Sequence, residues 1–359
     1  MIISMRNIII VVNNRFHKLV NKHNWTLPII QVIYNILLLG DKDFSNELSK
    51  NIEKYKESGF NSSNWSLKQA MIQSFIKDYY QPYEYRCFDF WGKSREYRSN
   101  FISDEEVLNL FRRDNQVNKL PRNKYERYRL FQDLYKRDII DIKFDGTEDE
   151  EKKYNKFRSM HSEAICKPVK GNKGIGVRKV DLASCTIDEL KSHFFGDCML
   201  EELIIQGEEL AQFHPTSINT VRFVTGLSPK GHFSFLYALF RTGCGGSVVD
   251  NVGAGGIIAL INENGVIESD GMKFGQYYKT HPDTGVPYKG FHVPAWKELC
   301  AIAEKAHKTM PEQRLFGWDF AWTPNGWDLV EVNPAPAFIS YQILKKEGIK
   351  NKIKNAGLI

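Results

Sequence analysis

The segment that constrains this chain most is Phe316-Gly-Trp-Asp-Phe-Ala-Trp-Thr323, then Pro324-Asn325-Gly326, then Trp327-Asp-Leu-Val-Glu-Val-Asn333. Two runs rich in aromatic and β-branched residues flank a turn tripeptide, so the pattern predicts a pair of antiparallel strands. Pro-Asn-Gly suits a three-residue hairpin loop, with Pro at the second turn position and Gly in the left-handed one. That loop sets Thr323 opposite Trp327 and Asp319 opposite Glu331. Alternation then puts Asp319 with Ala321 on one face, and Glu331 with Asn333 on the strand beside it. Directly opposed like charges destabilise a sheet. A divalent cation removes the conflict, and two carboxylates with an amide oxygen are hard ligands suited to Mg²⁺. Taken alone, the segment also reads as a solvated hairpin with scattered acids.

The rest of the composition narrows the setting. A chain of 359 residues can bury a large core and favours two or three lobes over one. Hydrophobic content of 42% and charged content of 26% are those of a soluble globular protein, and a net charge of +6 is modest at this size. The six cysteines are scattered without a CxxC, and the nine histidines form no HExxH, which argues against a zinc site or a disulfide scaffold. A reducing compartment, and so the cytoplasm, fits best. Ile8–Val12 is too short for a signal-peptide core. Pro28–Leu39 is interrupted by Gln31 and Asn35 and falls far short of the ~20 residues of a membrane span.

Along the chain, residues 1 to about 115 read as helical, without evident chemistry. Leu67, Met71, Ile72, Phe75 and Ile76 form a helical stripe behind a cap at Asn64 or Ser66, and Ser103 with Glu106 forms a capping box. Arg112–Arg137 is basic and interleaved with Tyr125, Tyr128, Phe131 and Tyr135. The aromatics, with Leu130 and Leu134, fall at helical spacing, which favours a core face with solvated charges over a nucleic-acid surface. Asp145–Lys156 is charged and reads as a loop or lobe boundary. After residue 160 strands dominate: Ala164–Val169, Val177–Val180, Cys198–Ile205, Val221–Leu227, Phe233–Phe240 and Gly253–Ile261, with an amphipathic helix over Ala295–Lys308. The fold class is α+β with mainly antiparallel sheets.

Two further segments carry chemistry. Lys167-Pro-Val-Lys-Gly-Asn-Lys-Gly-Ile-Gly-Val177 is a strand ending in a lysine, followed by a loop with Gly171, Gly174 and Gly176. Glycines let backbone N–H groups wrap phosphate oxygens, and Lys167 and Lys173 neutralise charge. It matches neither the Walker pattern nor GxGxxG, and equally suits a plain hairpin tip. Met199-Leu-Glu-Glu-Leu-Ile-Ile205 offers Glu201 and Glu202 at a strand edge, where backbone groups of residues such as Leu203 could read an adenine. An exposed strand edge with two acids is the alternative.

In this order, Lys167 with its glycine loop, Glu201-Glu-Leu-Ile, and Asp319 with Glu331-x-Asn333 resemble the ATP-grasp superfamily. The sequence is more similar still to its sugar-transfer-associated branch, met with polysaccharide biosynthesis. That texture lies in Ser217-Ile-Asn-Thr-Val-Arg-Phe223, Asp250-Asn-Val-Gly-Ala-Gly-Gly256, His281-Pro-Asp-Thr-Gly285 and Val293-Pro-Ala-Trp296. The resemblance covers roughly residues 116–345. It implies a helical region over 1–115, a small lobe over 116–200 with the glycine loop, and a larger lobe over 201–359 with the metal site.

By position, the resemblance implies that Lys124 and Lys167 meet ATP phosphates and that Gly171–Gly176 covers them. Glu201, Glu202 and Leu203 would lie at the adenine hinge, with Glu209 toward the ribose. Asp319, Glu331 and Asn333 would hold Mg²⁺, with Mn²⁺ as a substitute. Ligases of this superfamily commonly carry an arginine two residues before the first metal-binding acid; here that position is Gly317, so Arg222 or Arg241 would supply the cation, and Asn251 would orient a substrate. His214 and His281 are further candidate contacts or capped turns. The implied activity is an ADP-forming carboxylate–amine ligation through an acyl phosphate, on small, sugar-linked substrates. The alternatives are a small-molecule kinase and a nucleotide-binding module without turnover. Neither nucleic acid nor an integral membrane segment is expected, and a homodimer is the default by prevalence alone.

Overall fold

The computed structural model describes residues 42–112, 118–171, 175–194, 196–245, 255–334 and 336–359. The apolar runs Ile8–Val12 and Pro28–Leu39 lie outside them. The chain divides into two units: Met1–Asn109 with Ala337–Asn351, and Leu110–Pro336 with Lys352–Ile359.

The described residues of the first unit form helices and connecting turns, without a strand. Helices α1 (Lys42–Glu57), α2 (Asn64–Asp78) and α3 (Pro82–Cys87) enclose an aromatic core of Phe44, Phe75, Tyr80, Tyr85, Phe90 and Phe101. The cap of α2 is Ser63, whose hydroxyl accepts from Ser66 N at 3.1 Å, rather than Asn64 or Ser66. Ser103 caps α5 (Asp104–Val107) by accepting from Glu106 N; α4 is the short Arg95–Ser99. The returning segment joins this unit through Gln342. Its amide accepts from Ile102 N and donates to Ile102 O, both at 2.9 Å, as a strand neighbour would.

The second unit holds two antiparallel sheets. The smaller has the order β1-β4-β2-β3, with β1 Ile139–Ile142, β2 Glu163–Pro168, β3 Arg178–Asp181 and β4 Cys198–Glu202. Ile142, Ala164, Cys166, Cys198 and Leu200 share one face and pack on Tyr154 and Phe157 of α7 (Glu148–Met160) and Leu190 of α8 (Ile187–His193). The charged stretch expected to be a loop is therefore the start of α7. Thr147 caps it, and Glu148, Asp149, Glu150 and Glu151 fill its first turn, where the helix dipole favours acids. The opposite face carries Ile139, Lys167, Met199 and Glu201. Tyr125 and Tyr128 of α6 (Lys124–Leu130), together with Tyr135, pack against its apolar residues. Leu130, expected in that core, is exposed at the end of α6.

The larger sheet has the order β11-β10-β5-β6-β7-β8-β9. Its strands are β5 Thr220–Leu227, β6 Phe233–Thr242, β7 Ile257–Ile261, β8 Gly271–Lys273, β9 Gln276–Tyr278, β10 Leu315–Thr323 and β11 Gly326–Pro334. Phe223, Phe240, Trp318 and Phe320 on one face meet Leu299, Ala303 and Ala306 of α10 (Trp296–Lys308), with α9 (Glu208–Ala211) at the side. That apolar layer fixes which residues alternate onto the other face. Among the described residues no helix is long and apolar enough to cross a membrane.

Candidate active site

The hairpin β10–β11 differs in detail from its expected form. Thr323 pairs with Gly326, so the loop is the two residues Pro324-Asn325 and not three; Gly326 does take the left-handed conformation, at φ +93°. From the tip to Phe320 opposite Leu329 the ladder runs one residue away from the expected register, and Trp322, not Thr323, faces Trp327. Val330 is then passed over as a bulge, and Asp319 stands opposite Glu331. With a two-residue loop and no bulge, Val330 would oppose Asp319 and Glu331 would turn to the core side, because a one-residue slip exchanges faces. The two-residue loop puts Asp328 opposite Ala321, on the same face as Asp319.

Arg222 on β5 is the other direct neighbour of Asp319, so Arg222, Asp319 and Glu331 form one row across three strands. Arg222 Nε donates to Asp319 Oδ1, and Nη2 donates to Oδ2 at 2.7 Å; Arg241 Nη1 lies 3.1 Å from Oδ2. Asn333 Nδ2 is 3.4 Å from the same oxygen. Burial would raise the Asp319 carboxyl, but the Arg222 and Arg241 guanidiniums outweigh it and hold the pKa below the ordinary carboxylate value. Gly317 explains the missing arginine. A Cβ there would sit 2.8 Å from Pro336 Cβ and 3.4 Å from Arg222 Cδ, so Pro336 and the stem of Arg222 fill the space a side chain would need.

The smaller sheet contributes the lysines. Lys167 Nζ pairs with Glu201 Oε1, and Lys124 N donates to Val169 O at 2.9 Å, which ties the start of α6 to the end of β2. Burial lowers the Lys124 pKa, as does the like charge of Lys167, against the attraction of Glu331 and Glu201. Lys167 and Glu201 of the smaller sheet and Glu331 of the larger one therefore all lie within electrostatic reach of Lys124. Gly171 and Gly176 have φ of +144° and +80°, and a Cβ on Gly176 would meet Pro168 Cγ at 2.9 Å. Lys173, Gly174 and Asn251 lie outside the described residues.

The adenine-hinge segment is not the open edge expected. Strand β4 is internal, paired with β1 and β2, and Glu202 N donates to Asp138 O at 2.9 Å. The strand stops at Glu202, three residues sooner than its apolar run suggested, and Leu203 is the first residue beyond it. Glu201 is buried. Its Oε2 accepts from Arg137 Nη2 at 2.8 Å, and Lys167 and Arg137 overcome burial to keep its carboxyl below the usual pKa. The Glu202 carboxylate turns the other way, beside His161 and Asp138. Glu209 is exposed and accepts from Trp322 Nε1 at 2.8 Å. His214 and His281 are buried and donate to Gly245 O and Gly243 O, each at 3.0 Å, as anchors of a turn.

Arg137 and Asp328 escaped the sequence reading. Arg137 was grouped with solvated charges, yet its guanidinium is buried and its Nη1 lies 2.6 Å from Asp328 Oδ1. Nothing local marks it, because Arg137 stands in the charged run Lys136-Arg137-Asp138 directly before β1. A sequence profile of the family described as "Sugar-transfer associated ATP-grasp" matches residues 121–357. The chain belongs to that family. Its two sheet-containing lobes follow the ATP-grasp plan, with the helical stretch before them. Among solved structures it is similar to the ATP-grasp ligase PsnB bound to a minimal precursor, Mg and ADP (13% identity, 65% of this chain and 57% of that one, TM-score 0.39). It is also similar to D-alanine–D-alanine ligase from Helicobacter pylori (16%, 66% and 60%, 0.38) and the VanG D-Ala:D-Ser ligase from Enterococcus faecalis (15%, 66% and 62%, 0.41). This ATP-grasp chain spans less than two thirds of each of those chains. A comparison with curated proteins found no match.

Proposed function

We propose that the chain is an ADP-forming ligase that joins a carboxylate to an amine, with at least one substrate carried on a sugar or uronic acid. The observation that carries this reading is the Arg222 guanidinium gripping Asp319 from the neighbouring strand, a cation held within the acidic row by the sheet itself. Membership of a sugar-transfer associated family supports the sugar part. A reaction fed by ATP belongs in the cytoplasm.

Asp319, Glu331 and Asn333 fit a hard divalent cation such as Mg²⁺: two opposed carboxylates and an amide oxygen on adjoining strands, with no soft donor among them. Mg²⁺ there would neutralise phosphate charge. Lys124 and Lys167 take the nucleotide phosphates, beneath the loop that runs from Gly171 to Gly176. The chain beyond Glu202, from Leu203, faces the adenine, and Glu209, fixed by Trp322, lies toward the ribose. A substrate carboxylate oxygen attacks the γ-phosphorus and ADP leaves. Arg222 and Arg241 stabilise the negative charge that develops, without reorganising, because Asp319 already holds them. The amine nitrogen then attacks the acyl carbon, loses a proton, and phosphate departs.

The test is parallel release of ADP and inorganic phosphate by the purified protein with Mg-ATP, across uronic acids, sugar nucleotides and amino acids. Equal release that requires a carboxylate and an amine together is the expected outcome. ADP without phosphate would make the protein a kinase and overturn the ligase reading.

A further inference from the structure

Arg137 precedes β1, and its side chain lies between the two sheets with 3% of its surface exposed. One nitrogen, Nη2, meets Glu201 Oε2 at 2.8 Å. The other, Nη1, meets Asp328 Oδ1 at 2.6 Å and donates to Leu329 O at 2.9 Å. Lys136 N adds a bond to Asp328 Oδ1 at 3.0 Å, and the Tyr135 ring lies 5.1 Å from the guanidinium carbon. The second oxygen of Glu201 faces Lys167. Four charges are thus arranged in the order Lys167, Glu201, Arg137, Asp328, and the side chains of Glu201 and Asp328 are 5% and 2% exposed. Water screens such a chain weakly, so each charge depends on its neighbours.

We propose that Arg137 is a positioning residue for Lys167: it shares Glu201 with the lysine and so weakens the hold of that carboxylate enough for the ammonium to turn to the nucleotide phosphates. This rests on the reading of Lys167 as a phosphate-binding group. Without Arg137, Lys167 is the nearest cation to a buried Glu201, and a charge-assisted pair in that setting is strong. The lysine then stays on Glu201 and is withheld from the nucleotide. Asp328 also loses a partner, but it does not touch Lys167. The consequence is asymmetric. Neutralising either acid restores the charge balance upset by the loss of Arg137, whereas only neutralising Glu201 releases the lysine.

The experiment measures Kd for Mg-AMP-PNP by calorimetry with the full chain and its variants. Arg137→Met is expected to weaken binding by about tenfold or more, the scale of one lost charge-assisted contact. Adding Glu201→Gln to that variant should recover most of the loss, and adding Asp328→Asn should not. Equal recovery by both, or recovery by neither, would leave Arg137 a structural residue and overturn the proposal. So would unchanged affinity in the single variant. If Arg137→Met does not fold, the two double variants carry the comparison: tighter binding by the Glu201 pair supports the proposal, and equal binding overturns it. Wild-type protein that binds no Mg-AMP-PNP would instead remove the nucleotide reading itself.

Discussion

Asp319 is one buried carboxylate shared by two guanidiniums, and Glu331 stands opposite it on β11. Substituting Glu331 by Gln removes one negative charge at nearly constant volume. Turnover should fall at least about a hundredfold, the scale for losing a group that organises developing charge. The half-buried site should keep the melting temperature within about 2 °C, under ~1 kcal/mol for a domain of this size. Ligase or ATPase activity at the wild-type level in that variant would sink the metal assignment. Arg222→Lys tests the guanidinium. Lysine cannot reproduce the two-point grip on Asp319. A kcat/KM within about twofold of wild type, under ~0.5 kcal/mol of transition-state stabilisation, would make Arg222 structural.

On the scale of elements, strand β10 is shaped by what its neighbours leave room for. At Gly317 a methyl group would press on Pro336 and the Arg222 stem. Gly317→Ala should therefore cost about 1–3 kcal/mol in urea unfolding, as overpacking against Pro336 does. A variant as stable as wild type would show that Pro336 yields freely. The same hairpin shows what was legible. Strand pairing and the left-handed Gly326 follow from turn chemistry and alternation, whereas Asp319 meets Glu331 only because the bulge offsets the shorter loop. The two-residue loop and the Val330 bulge do not follow from these, because the bulge is set by which residues the α10 layer draws into the core. Likewise the end of β4 at Glu202 depends on strands β1 and β2 beside it, which the apolar run through Ile205 could not reveal.

Across the molecule, stability is tied to pH through His307. It is fully buried on α10, between Thr225 Oγ1 at 2.7 Å and Gln313 O at 2.9 Å, and burial pushes its pKa from 6.5 down to about 4. Below pH 6.5 the unfolded chain gains a proton that the folded chain refuses until about pH 4. Stability therefore falls as pH drops through that window and, for this group, levels off beneath it. Between about pH 6.5 and pH 5 the loss should be on the order of 2 kcal/mol. Urea titrations at both pH values should show this slope in the wild type and its disappearance in His307→Gln. The same slope in both proteins would assign it to other groups.

The sequence by itself determined the α+β class, the helical character of the described N-terminal stretch, most strands of the second unit, and the family, through an ordered set of lysine, glycine and acidic signals. The class and the elements follow from local periodicity and turn chemistry, which act over a few residues; the family follows from the resemblance of its ordered motifs. Only the tertiary structure decided that Arg222 grips Asp319 from the next strand and that Glu201 is a buried partner of Lys167 and Arg137 on an internal strand. It also decided that Asp328 shares a face with Asp319. Each depends on a charge finding its partner across two or three strands. A buried charge takes the neighbour that packing brings to it, and chain order does not record which one that is.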